Sequence, residues 1–184
     1  MPVYISMLRG VNVGSHNRIQ MDALRALYTS LKLEDPRTYV QSGNVIFRTK
    51  EKNAAKLATQ IQTAIEKKLR CSPAVLLRTT AEMKKAIAAN PFAARPDIVP
   101  GKLLVTFLGA EPSRQAQAGL DTFKHHPEEI HLIGRELFIY FPNGAGKTKL
   151  PWSQVGRFLK VTGTARNWNS VIKMCEMAEE MEKS

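Results

Sequence analysis

Short strand-forming runs and helical periodicities alternate along this chain in the order strand, helix, hairpin, helix, strand, and the same order restarts near residue 102. Alternation of this kind, with tight connections, restricts the fold to sheets covered by helices. Val3 to Leu8 is a strand by its β-branched and aromatic content. Met21, Leu24, Leu27, Tyr28 and Leu31 then recur at helical spacing, and Asp35-Pro36 is expected to break that helix. Strand formers on either side of Ser42-Gly43-Asn44 predict a tight hairpin over residues 37–48. A second helix follows over residues 52–69, with Ala58, Ile61, Ile65 and Leu69 along one stripe, and then a strand at 74–77. Thr80 is placed to cap the next helix, which Asn90-Pro91 ends. The order is the β-α-β-β-α-β arrangement of a ferredoxin-like unit.

The second half begins alike, with a strand at 102–108, a helix at 112–123 and a hairpin at 129–141 turning on Gly134-Arg135. It then diverges in pattern: a loop at 142–150, a short helix near 152–158 and a final helix over 165–181. The expected class is α+β, with two ferredoxin-like halves in tandem, the second diverging at its C-terminal helices. The expected division is 1–92 and 102–184, joined by a linker over 93–101 that holds Pro96 and Pro100.

A chain of 184 residues buries enough surface on folding to need neither disulfide nor metal. Its 43% hydrophobic and 23% charged residues argue against disorder. Cys71 and Cys175 are far apart and outside any CxxC pair, as expected of free thiols in a reducing compartment. The first residues lack a secretory pattern, and no run approaches the ~18 apolar residues of a membrane span. The cytoplasm is the expected compartment, and no membrane partner is expected.

Net charge is +11 and uneven: residues 1–100 hold 16 Lys and Arg against 7 Asp and Glu, and residues 101–184 hold 11 against 9. An acidic partner would meet the first half; equally, the charge serves solubility alone.

Three segments bear on chemistry. The loop from Arg9 to Asn17 joins a strand to a helix through Gly10 and Gly14, a setting whose backbone N–H groups favour an anion, although the spacing is not GxGxxG. Gly144-Ala-Gly-Lys-Thr148 imitates a Walker loop, but Phe141 stands where its first glycine belongs and Pro151 follows too soon for the helix it requires. A basic turn presenting Lys147 and Lys149, or a hairpin exit without a role, accounts for it. In Thr162–Asn169, Thr164 is placed to cap the last helix, and Arg166 in its first turn opposes the helix dipole unless an anion stands nearby.

The four histidines form no zinc or iron spacing, there is no GxSxG elbow, and residues 1–50 contain only Asp22, Glu34 and Asp35 as acids. Neither a metal nor a cofactor is implied, paired-carboxylate catalysis has little to work with, and no catalytic residue is assigned. The strands offer Tyr4 and Phe47 without the RNP1 pattern of an RNA-recognition module.

Met7-Leu-Arg-Gly-Val-Asn-Val-Gly14, Thr38-Tyr-Val-Gln-Ser-Gly-Asn-Val-Ile-Phe47, Thr164-Ala-Arg-Asn-Trp-Asn169 and Gly146-Lys-Thr-Lys-Leu150 together resemble the signature blocks of the bacterial domain of unknown function 1697 family. In the fourth block Thr148 stands where serine is usual. The resemblance implies an α+β protein of two ferredoxin-like halves and implies no activity. The blocks contribute Arg9, Asn12, Gln41, Ser42, Asn44, Lys147, Lys149, Thr164, Arg166 and Asn167, a set of cations, amides and hydroxyls without a carboxylate. Brought together, such groups suit a phosphate or carboxylate and suit a divalent metal poorly. The leading expectation is an anionic small molecule or nucleotide as ligand. The alternatives are a nucleic acid on the basic first half, or a structural or partner-binding role in which these residues stabilise turns.

Overall fold

The structure is a computed structural model that describes every residue except Ser15, His16 and Lys124. Two of these belong to the glycine-punctuated loop, so that part of the expected anion loop lies outside the described residues. The chain is an α+β protein that divides into two compact units, Met1–Lys85 with Lys173–Ser184, and Ala86–Ile172. The division expected from sequence, at a linker over 93–101, is a different cut. Phe92 beside that stretch is buried, and Pro100–Lys102 forms a single 3-10 turn.

The first sheet is built from β1 (Val3–Leu8), β2 (Glu34–Tyr39), β3 (Asn44–Arg48) and β4 (Val75–Thr79), in the order β2-β3-β1-β4 with every neighbour antiparallel. Its helices are α1 (Met21–Ser30), α2 (Ala54–Leu69) and α3 (Thr80–Ala88). Alternation along the strands puts Tyr4, Leu8, Val45, Phe47 and Leu77 into one core with Met21, Leu24, Leu27 and Tyr28 of α1 and Leu57, Ile61 and Ile65 of α2. Each such side chain is worth about 1.5–3 kcal/mol when fully buried. Ser6 is also buried here and shares a 2.8 Å hydrogen bond with the Tyr28 hydroxyl, whose ionisation burial strongly disfavours. The alternate residues Ile5, Met7, Asn44, Ile46, Leu76 and Arg78 are buried as well, so neither face of the central strands meets solvent.

The second sheet comprises β5 (Leu103–Leu108), β6 (Glu129–Ile133), β7 (Glu136–Tyr140) and β8 (Gly163–Asn167), in the order β6-β7-β5-β8, again antiparallel throughout. Its helices are α4 (Arg114–Thr122) and α5 (Trp152–Leu159), and α6 (Trp168–Lys183) starts in this unit, its residues from Lys173 onward belonging to the first. Leu108, Leu120, Leu132, Leu137, Ile139, Phe141, Val155 and Leu159 form its core. The two sheets correspond in register: Ile5 lies between Ile46 and Arg78, and Val105 lies between Phe138 and Arg166. A buried arginine thus occupies the same strand position in each sheet.

Three local expectations are corrected. Asp35-Pro36 does not end a helix; it lies in β2, where the pairing shifts between Glu34 and Arg37 and Asp35 takes φ 49°. An edge strand tolerates proline there because no ladder donor is lost from the sheet interior. Thr79, not Thr80, caps α3: its hydroxyl accepts from the Glu82 N–H at 3.2 Å, while the Glu82 carboxylate accepts from the Thr79 N–H at 2.8 Å. Finally, Thr164 caps no helix. It sits in β8 with Arg166 and Asn167, and α6 starts only at Trp168. Arg166 is therefore a strand residue and not part of that helix's first turn. With β8 in place, a strand followed by a helix closes both halves, although α6 is longer than α3.

Among the described residues, no helix is long and apolar enough to cross a membrane.

Candidate functional site

At its C-terminal end β1 is held on both sides, by Leu8 N–H donating to Gly43 O at 3.0 Å and Arg9 N–H donating to Ala74 O at 2.9 Å. Gly43 has φ +74°, and a Cβ there would stand 2.9 Å from the Leu8 Cβ, so both the turn and the close approach require glycine. The chain then turns out of the sheet through Gly10 and Gly14, both at positive φ. Asn12, at φ 56°, organises this loop. Its amide donates to Ile19 O at 2.9 Å and to Gln41 O at 2.6 Å, and its oxygen accepts from Ile19 N–H at 2.8 Å. One side chain thereby closes the loop and fastens it to the β2–β3 turn. Asn44 does the same within that turn, donating to Tyr39 O at 3.1 Å and to Ser42 Oγ at 2.9 Å.

Two contiguous depressions open beside these turns, and Gln20 and Gln41 line both. The first, of about 520 Å³, is lined by Asn12, Gly14, Arg18, Ile19, Gln20 and Gln41. The second, of about 500 Å³, adds Met21, Asp22, Arg25, Thr38 and Val40. Arg25 pairs with Asp22 and donates to Thr38 Oγ1 at 2.5 Å, so the second depression is balanced in charge. The exposed Arg18 has no carboxylate partner among the described residues, and neither does Arg9. Gln20 precedes α1 without capping it through its side chain. Val40 is half-exposed at 49% and held at φ 50°. For a β-branched residue that conformation is a genuine outlier, of a kind that clusters at functional sites. A third depression, of about 460 Å³, lies between Leu31, Leu33 and Leu57 and the lysines Lys67 and Lys68, away from every block residue.

The remaining sequence-predicted residues belong to the second unit. Thr164 and Arg166 are buried in β8, where the Arg166 guanidinium donates to Thr164 Oγ1 and to Ala165 O, both at 2.8 Å. Burial pushes its pKa down to about 10, which leaves it charged at neutral pH. Asn167 donates to Gly101 O at 2.8 Å and accepts from Asn169 N–H at 3.0 Å. Lys147 and Lys149 are exposed on the loop between β7 and α5. Lys147 ends a 3-10 turn and Thr148 is extended, so no α-helix opens on them. Thr148 instead donates to the buried Glu128 carboxylate at 2.6 Å, which His125 Nδ1 meets at 2.9 Å. Burial alone would raise the Glu128 pKa, but hydrogen bonds from Thr148 and His125 outweigh it and hold the carboxyl below its ordinary range.

The structure thus brings Asn12, Gln41, Ser42 and Asn44 together in the first unit, with Arg9 at the exit of β1. It brings Thr164, Arg166 and Asn167 together on β8 in the second. The sequence had not singled out Arg18, Gln20, Arg25, Thr38 and Val40. Arg18 stands just beyond the first block, and the one available signal was a cation in the loop that block opens. Among the described residues, no three His, Cys, Asp or Glu side chains are placed to hold a metal ion.

Fold and site define an α+β protein of two four-stranded antiparallel sheets, with a carboxylate-poor polar depression at the end of its first strand. The chain belongs to the family described as protein of unknown function DUF1697, whose sequence profile matches residues 1–138. That match takes in the first two blocks and stops short of Lys147, Lys149 and the β8 residues. A solved structure of a conserved bacterial protein from Streptococcus pneumoniae is similar, with TM-score 0.70 and 21% identity over 97% of this chain and 99% of that one. This likeness speaks to the fold alone. No curated protein matches the sequence.

Proposed function

We propose that this protein binds an anionic small molecule, phosphorylated or carboxylate, in the depression lined by Asn12, Gly14, Arg18, Gln20 and Gln41. The observation that carries the reading is Arg18, an arginine without a carboxylate partner among the described residues, in a depression whose other polar lining is amide and backbone. Arginine in such company suits planar oxyanions. The free thiols Cys71 and Cys175 suit a cytoplasmic setting. The ferredoxin-like reading of each half rests on strand order and matching register, and the proposed site lies within the first of them.

A thermal-shift series with inorganic phosphate, sugar phosphates, nucleotides and dicarboxylates tests the proposal. A ligand at 100 times its dissociation constant adds about 2.7 kcal/mol of stability, and Arg18→Gln removes that gain without lowering the melting temperature of the free protein. No stabilisation by any of these anions overturns the proposal. Nucleic acid draws less support as a ligand. The acidic Lys173–Ser184 segment belongs to the first unit, which then holds 17 Lys and Arg against 10 Asp and Glu.

A further inference from the structure

The two depressions beside the loop differ in chemistry, and the difference describes a ligand with two parts. In the first, the Asn12 side chain is spent on Ile19 and Gln41 backbone groups. Arg18 and the side-chain amides of Gln20 and Gln41 carry no hydrogen bond or ion pair among the described residues. One guanidinium, two amides and no carboxylate fit a compact oxyanion with several acceptor oxygens. In the second, Asp22 and Arg25 neutralise each other and Thr38 is engaged by Arg25. What remains there is uncharged: the half-exposed Val40 side chain, Met21, and the shared glutamines.

A simple anion would leave the second depression empty. A dianion with two separated charges would place one of them where no uncommitted cation stands. The volumes, about 520 Å³ and 500 Å³, are each within the range of small-molecule sites. The conformation of Val40 turns an apolar side chain's position into something the fold must hold against its own backbone preference. Glycine, asparagine or aspartate would take φ 50° more readily, so the valine is notable for its methyl groups.

We infer that the ligand is a phosphate monoester on a neutral ring of nucleoside size, with its phosphate at Arg18, Gln20 and Gln41 and its ring against Val40. This rests on the anion-binding reading above and adds the second half of the ligand to it.

Titration calorimetry of the full chain with inorganic phosphate, adenosine, adenosine 5′-monophosphate and ribose 5-phosphate tests it. At least one monoester is expected to bind tenfold or more tightly than inorganic phosphate and than adenosine. Arg18→Gln weakens phosphate and monoester alike. Val40→Gly, with Val40→Asn as a second variant suited to the same backbone conformation, brings monoester affinity down to that of phosphate and leaves phosphate binding as it was. Circular dichroism melts confirm that each variant folds. Equal affinity for phosphate and both monoesters overturns this inference while the anion-binding reading stands. A monoester preference that survives both Val40 substitutions also overturns it. No binding of any anion to the folded wild-type protein overturns both.

Discussion

Asn12 shows how a residue can be found from sequence and its role still be missed. An asparagine in a glycine-punctuated loop offers an amide, and nothing in the string of letters separates an amide facing a ligand from one closing a loop. The structure assigns Asn12, Asn44 and Asn167 to backbone groups. Asn12→Ala therefore removes three hydrogen bonds from one loop, and a loss of about 1–3 kcal/mol is expected in urea denaturation. Arg18→Gln, on an exposed side chain without a carboxylate partner among the described residues, is expected to change stability by less than about 0.5 kcal/mol. Arg166 is the opposite case. Its guanidinium is buried against Thr164 and Ala165, so Arg166→Ala leaves a cavity and is expected to cost about 2–4 kcal/mol. Loss of stability at Arg166 together with retained stability at Arg18 is the pattern that sorts framework from site.

Among the elements, those with hydrophobic periodicity were legible: β1, α1, α2, β5, α4 and the β6–β7 hairpin stand within a few residues of where their patterns put them. β8 and β2 were misread for different reasons. In β8 the buried alternate positions are Thr164 and Arg166, so a period of two is present in space and absent from hydropathy. In β2, Glu-Asp-Pro-Arg-Thr-Tyr reads as a turn, yet the edge position and the bulge let it pair. The capping of α3 gives a sharp test of the corrected boundary. Thr79→Ala breaks a reciprocal pair of hydrogen bonds with Glu82 and is expected to cost ~1 kcal/mol. The Thr80 hydroxyl is buried without a hydrogen-bond partner among the described residues. Thr80→Val keeps its shape and is expected to be neutral or stabilising. A larger loss at Thr80 than at Thr79 would return the cap to the residue the sequence suggested.

For the whole molecule, acid sensitivity has an identifiable contributor. The Glu128 carboxyl, ordinarily near 4.5, is held lower by Thr148 and His125 against the opposing effect of burial. A carboxyl depressed on folding stabilises the protein above its unfolded pKa, and the gain is lost as pH falls through its folded value. Glu128→Gln is thus expected to cost about 1.5–3 kcal/mol at neutral pH, as for hydrogen bonds to charged groups. The gap from wild type should close once both carboxyl states are protonated. Urea melts of the two proteins from pH 7 downward measure it, and a gap independent of pH would remove Glu128 from the account.

Lys173–Ser184, which includes the last eleven residues of α6, belongs to the first compact unit, where Arg48 holds the Met181 carbonyl, Lys84 pairs with Glu179 at 2.5 Å, and Met174, Ala178 and Met181 are buried. On the ribosome these residues are made after all of residues 86–172. At roughly 5–20 residues per second, the first sheet spends on the order of 5–20 s in the exit vestibule and cytosol before its final segment arrives. The nascent first half therefore emerges as an unfinished unit.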